Sequence, residues 1–201
     1  MFPAELQEAI LYLNEVKLNC CFTHEDGRVN SIADEEMIIS LLEQKFGKDN
    51  VKRPAVREWW DVKVCGYFLQ IKSSKVAKKA ADNFSSKAAI LYALTYLPED
   101  KVRVQKWNEF EEALLNYSDV ENDRDYYILV VDKGEGKVHL TSLKSLRKLT
   151  SNGNNLPFQV KWADNLVPQE QSFEEAKKLI VGAYKRSVLA KINSHPLASQ
   201  L

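Results

Sequence analysis

The chain has 201 residues, 45% of them apolar, which is enough to bury one sizeable core, so a single domain over 1–201 is expected. Its 28 basic and 28 acidic side chains cancel; this excludes a uniformly basic, polyanion-coating protein and leaves a nucleic-acid surface only as a local patch. No run of about eighteen apolar residues is present to span a bilayer, and no basic segment with an apolar run and cleavage site opens the chain, so a soluble, cytoplasmic protein is expected.

Leu6, Ala9, Ile10, Leu13 and Val16 recur at three- and four-residue steps and predict an amphipathic helix over 3–18, starting at Pro3. Asp26-Gly27 marks a turn. Asp34 then precedes a second helical pattern through Ile38, Ile39, Leu42 and Phe46, closed by Gly47, which places Glu35 and Glu36 in a positive first turn. After Pro54 the period falls to two: Val56–Val64 and Tyr67–Ile71 are short β-rich runs either side of Cys65-Gly66, a hairpin signal. Residues 76–97 read as helix up to Pro98, with Ser85 a candidate N-cap for part of it, 101–107 as an alternating strand and 108–116 as a short helix.

Tyr126–Val131 and Val138–Leu143 flank Gly134-Glu135-Gly136 and predict a second hairpin. Leu143–Leu149 reads as a short helix, Thr150–Asn155 as a loop and Phe158–Trp162 as a strand. Ser172, with Glu175 at the capping-box position, opens a helix carrying Phe173, Ala176, Leu179, Ile180 and Ala183. Helices interspersed with mostly antiparallel strands put the chain in the α/β (α+β) class, around one central sheet.

The three cysteines, adjacent Cys20 and Cys21 and solitary Cys65, suit neither a disulfide framework nor a CxxC zinc pair and are expected to be reduced. His24, His139 and His195 lack metal-ligand spacing. Neither GxxxxGK[ST] nor GxSxG occurs, which excludes phosphate-loop and nucleophile-elbow enzymes.

The first hairpin holds the chemistry. With Cys65 and Gly66 as its two loop residues, Val64 faces Tyr67, Asp61 faces Gln70 and Trp59 faces Lys72. Alternation then sends Val62, Val64, Tyr67, Leu69 and Ile71 to one side, and Asp61, Gln70 and Lys72 to the other. A carboxylate, a second oxygen donor and an ammonium on one patch are the parts that metal-assisted phosphodiester hydrolysis needs. The oxygens hold a hard cation, and the ammonium stabilises a hydroxide or the charged phosphorus centre.

Trp60-Asp61-Val62 followed by Leu69-Gln70-Ile71-Lys72-Ser73 resembles the PD-(D/E)xK nuclease superfamily. In that superfamily a strand-end Asp and a D/E/Q-x-K on the next strand bind the catalytic metal, with an acid on a preceding helix completing the site. Asp61 matches the first element and Lys72 the last; Gln70 stands where Asp or Glu is usual, and no Pro precedes Asp61. The helical acid implied is Glu36, ahead of Met37-Ile38-Ile39-Ser40-Leu41-Leu42, with Glu35 the alternative. The resemblance covers roughly residues 20–145. It implies a restriction-endonuclease-like core, a central mixed sheet flanked by helices, and a type II restriction endonuclease. Such an enzyme would use Mg²⁺, bound by Asp61, Gln70 and Glu36, to cut double-stranded DNA at a short specific sequence, acting as a homodimer. The alternatives are a repair-type or junction-resolving nuclease, a catalytically inactive DNA- or protein-binding module of the same fold, and an α+β domain unrelated to nucleic acid. Five lysines at 72, 75, 78, 79 and 87 against the single acid Asp82 offer a local cationic stretch for phosphates, with Asn83, Ser85 and Ser86 as further polar donors.

Overall fold

The computed structural model describes residues 2–16, 27–76, 81–84, 86–152 and 158–193, excepting the side chains of 27–31. Cys20, Cys21, His24, the turn at Asp26, Lys78, Lys79, Ser85, His195 and most of the loop expected at 150–155 lie outside the described residues. The fold is α+β, with a mixed central sheet flanked by helices. The chain divides into two compact units, residues 1–78 with 125–142, and residues 79–124 with 143–201.

The first unit contains the helices α1 (Ala4–Glu15) and α2 (Gly27–Phe46) and the strands β1 (Val51–Lys52), β2 (Val62–Val64) and β3 (Tyr67–Ser74). Residues of α1 and α2 bury Leu6, Ala9, Leu13, Ile38, Ile39 and Leu42 against Val62, Val64, Leu69 and Ile71, so the apolar stripes of both helices meet the apolar side of the hairpin. The hairpin turn is made by Cys65 (φ 49°) and Gly66 (φ 94°), both in the left-handed region that a two-residue turn between twisted strands demands. Val64 pairs with Tyr67, as the sequence predicts.

Two further strands complete this sheet, β5 (Tyr127–Asp132) and β6 (Lys137–Ser142), while β4 (Asp82–Phe84) belongs to the second unit. The strand order is β1-β2-β3-β5-β6. All neighbours are antiparallel except β3 and β5, which run parallel with Leu69 opposite Tyr127 and Lys72 opposite Val130. Every residue of β5 is buried, the expected state of a central strand with a neighbour on each edge. At the outer strand, Asn14 of α1 donates to the Val138 carbonyl (2.9 Å) and accepts from its N–H (2.8 Å), satisfying an edge that would otherwise need water.

Helix α2 starts at Gly27, so Asp34, Glu35 and Glu36 lie roughly two turns inside it and its first turn holds no acid. The β2 strand covers only Val62–Val64, and residues 56–61 form turns and bends. Residues 76–97 are not one helix.

In the second unit, the predicted long helix is replaced by β4 (Asp82–Phe84) and α3 (Lys87–Leu94). The N-cap of α3 is Ser86, whose Oγ accepts from Ala89 N–H at 3.1 Å. Residues 88–94 are all buried, which explains why helical periodicity could not reveal their limits: a helix apolar all round has no polar face to mark it. Residues 101–106 make no strand; Trp107 opens α4 (Trp107–Tyr117). The predicted helix after Leu143 is only a 3₁₀ turn over Leu143–Ser145. A second sheet follows, in the order β4-β8-β7, built from β4, β7 (Thr150–Ser151) and β8 (Phe158–Val160). Phe84 stacks on Phe158 inside it (5.4 Å). Helix α5 (Phe173–Asn193) starts as predicted: the Ser172 N–H donates to Glu175 Oε2 (2.8 Å), and Ser172 Oγ accepts from Glu175 N–H (3.3 Å). Among the described residues no helix is long and apolar enough to cross a membrane.

Candidate active site

Asp61 sits one residue before β2, at the mouth of the hairpin. Its N–H donates to the Leu69 carbonyl (2.9 Å), and its Oδ2 accepts from the Ile71 N–H (2.7 Å). The side chain thus takes a β3 hydrogen bond that a strand carbonyl would otherwise take, and this fixes the carboxylate beside Gln70 and Lys72. Beyond Asp61 the chain leaves the ladder. Trp59 does not face Lys72: its ring packs on Phe68 (4.7 Å) and Tyr126 (5.5 Å), and its carbonyl accepts from the Tyr126 hydroxyl (3.0 Å).

Gln70 and Lys72 share one side of β3 and are half-buried, with Ile128 and Val130 as their neighbours on β5. Phe68 lies on the same side and is 3% exposed. The polar pair therefore emerges from a partly apolar surface, not from a fully solvated sheet face.

Burial raises the Asp61 carboxyl above its ordinary range, opposed by the Ile71 hydrogen bond and by Lys72. The Tyr126 phenol is pushed well above its usual value by burial and then by the Asp61 charge. Tyr126 is a neighbour of Asp61 that the sequence disguised as the first residue of an apolar run.

The two adjacent acids of α2 have separate environments because successive helical residues diverge by about 100°. Glu36 shares the outer face with Ser40 and Glu43. All three contact Arg53, which forms ion pairs with Glu36 (2.6 Å) and Glu43 (2.8 Å) and reaches Ser40 at 3.5 Å. Glu35 faces the hairpin. Its carboxyl is raised from an ordinary 4.5 to about 7, first by burial, then by Asp61 and Glu36, with Lys72 opposing. Glu35, Asp61 and Lys72 therefore lie within one electrostatic neighbourhood; Glu36 is held by a cation on the helix's outer face.

Among the described residues no group of three or more His, Cys, Asp and Glu side chains is arranged to hold a metal ion. The donor set near Lys72 is two carboxylates, Glu35 and Asp61, with the Gln70 amide beside them. Both carboxylates resist ionisation in the protein alone, and a bound divalent cation is the partner that would relieve this. A hard cation accepts carboxylate and amide oxygens and fills its remaining positions with water, so these residues suit Mg²⁺ by the chemistry of their donors.

The Lys-rich stretch does not form one cationic helix. Lys75 is exposed just after β3, while Lys87 sits over the Trp107 ring (4.6 Å) and donates to the Gln105 carbonyl. Asn83 accepts from Gln159 (3.0 Å). Cys65 is a free thiol at the turn.

No known protein-family model and no curated protein matches the chain. One similar solved structure is a restriction endonuclease in complex with substrate DNA, 19% identical, with a TM-score of 0.31; the match covers 63% of this chain. It spans about half (51%) of that protein's length.

Proposed function

We propose that the chain is a metal-dependent deoxyribonuclease that hydrolyses phosphodiester bonds in double-stranded DNA. The observation that supports this most directly is the meeting of Glu35 and Asp61, two partly buried and mutually repelling carboxylates, with Lys72 on the Asp61–Lys72 hairpin. Asp61, Glu35 and the Gln70 amide oxygen would hold Mg²⁺. Glu35 takes the place that the resemblance gives to Glu36, because Arg53 already neutralises Glu36. A bound Mg²⁺ supplies the Lewis acid that offsets charge on the attacked phosphate. Lys72 presents its ammonium to the phosphate oxygens, where negative charge grows in the transition state. The Ile71 N–H keeps the Asp61 carboxylate in one orientation.

The finer reading is a type II restriction endonuclease that cuts a short specific sequence. Recognition of a palindrome would follow from a homodimer, whose two-fold axis supplies one site per strand. Gln70 favours a second reading, a repair-type or catalytically inactive DNA-binding module, since a neutral amide binds a divalent cation more weakly than a carboxylate. Incubation with phage DNA in Mg²⁺ and in EDTA, with sequencing of the fragment ends, tests both. Discrete Mg²⁺-dependent ends support the restriction reading, scattered ends a less selective nuclease, and retention without cutting the binding module.

A further inference from the structure

Asp34 and Lys133 form an ion pair inside the first unit. Lys133 Nζ lies 2.5 Å from Asp34 Oδ2, and the two side chains are 11% and 0% exposed. Asp34 belongs to the inward stripe of α2 with Ile38 and Leu42, all 0% exposed, so this acid occupies a core position. It immediately precedes Glu35. Lys133 follows β5 at the turn into β6, and its own N–H donates to the Ser74 carbonyl (2.9 Å), two residues beyond Lys72. The neighbouring Asp132, 5% exposed, accepts through Oδ1 from Val76 N–H (3.3 Å) and Gly134 N–H (2.8 Å). The same turn therefore grips the end of the strand bearing Lys72 and, through one buried ammonium, the helix residue next to Glu35.

A buried ion pair is a poor source of stability, because desolvating two charges offsets most of their attraction and an apolar pair of similar volume often does as well. What such a pair can supply instead is a defined register, the best-attested use of buried polar groups between packed elements. An apolar contact would allow α2 to slide or rotate slightly over β3.

We propose that Asp34 and Lys133 are positioning residues that lock the phase of α2 so that Glu35 faces Asp61 and Lys72. Their function rests on the nuclease reading above, but their geometric effect can be measured without any metal.

The pair is replaced together, as Asp34→Leu with Lys133→Met, so that both charges leave the interior at once. This protein is expected to fold with a cooperative melt. In EDTA at pH 8, Glu35→Gln and Asp61→Asn each remove the same repulsion, so their effects on Tm in the parent chain fall short of additive. In the apolar replacement they should add. Calcium binding by calorimetry should weaken about tenfold or more in the replacement, and Lys133→Arg, which keeps the charge, should preserve most of both properties.

A parent that binds no Ca²⁺, combined with coupling that disappears in the replacement, would overturn the nuclease reading and leave the positioning role standing. Absence of coupling in the parent, or equal coupling and equal Ca²⁺ affinity in the two proteins, would overturn the positioning role. So would a replacement that fails to fold, since the pair would then be a stability element.

Discussion

Glu35 and Glu36 are consecutive in the chain and about 100° apart around the helix, and that angle decides which acid meets Asp61. With its carboxyl raised to about 7, Glu35 favours the folded state when protonated. This contribution is fully present below about 4.5 and is lost as pH rises through about 7. Thermal melts in EDTA should therefore show stability falling over this window, and Glu35→Gln should flatten the decline; an unchanged profile would show that burial and the neighbouring charges do not hold the Glu35 carboxyl above its ordinary range. Mg²⁺ should stabilise most at the alkaline end, because ligands must be ionised to bind it. At Gln70, Gln70→Glu adds a charged ligand and should sustain cleavage at lower Mg²⁺, whereas Gln70→Ala should lose most of it. Parental behaviour of Gln70→Ala in a Mg²⁺ titration would remove Gln70 from the ligand set. The placement of Gln70 and Lys72 on one side of β3 with Asp61 beside them was legible in the sequence, because strand alternation and the two-residue turn assign faces without any distant contact. The choice between Glu35 and Glu36 was not, since it depends on helix phase and on Arg53, a residue with no motif around it.

Elements with local signals are readable: α1 through its apolar spacing, the Cys65-Gly66 turn through its conformation, α5 through the Ser172–Glu175 capping box. Ser172→Ala should cost about 1 kcal/mol, seen as a lower urea midpoint with unchanged slope; an unchanged midpoint would show the cap to be redundant. Elements shaped by distant partners are not readable. The parallel pairing of β3 with β5 joins Leu69 to Tyr127, and no local pattern announces it. The start of α2 at Gly27 was hidden because Asp34, an apparent cap, is a core residue paired with Lys133. The alternation at 101–107 was fortuitous: Val102 is buried and Val104 partly so, but neither enters a strand.

For the whole molecule, the proposed function combined with balanced charge requires any DNA affinity to come from local cations, so binding should weaken with salt in proportion to the few phosphates contacted. A two-fold dimer is the assembly that would place one Glu35–Asp61–Lys72 site on each strand, and light scattering of the free protein should give twice the chain mass; a monomer at micromolar concentration and on DNA would remove the palindrome argument. The most direct measurement compares cleavage of duplex DNA by the parent chain and by Lys72→Ala, in Mg²⁺ and in EDTA, with binding followed in parallel. The predicted result is Mg²⁺-dependent cutting by the parent and a loss of about 10²-fold or more in rate for Lys72→Ala with DNA affinity retained. Cleavage that survives Lys72→Ala undiminished, or a parent that cuts no duplex in Mg²⁺, would contradict it.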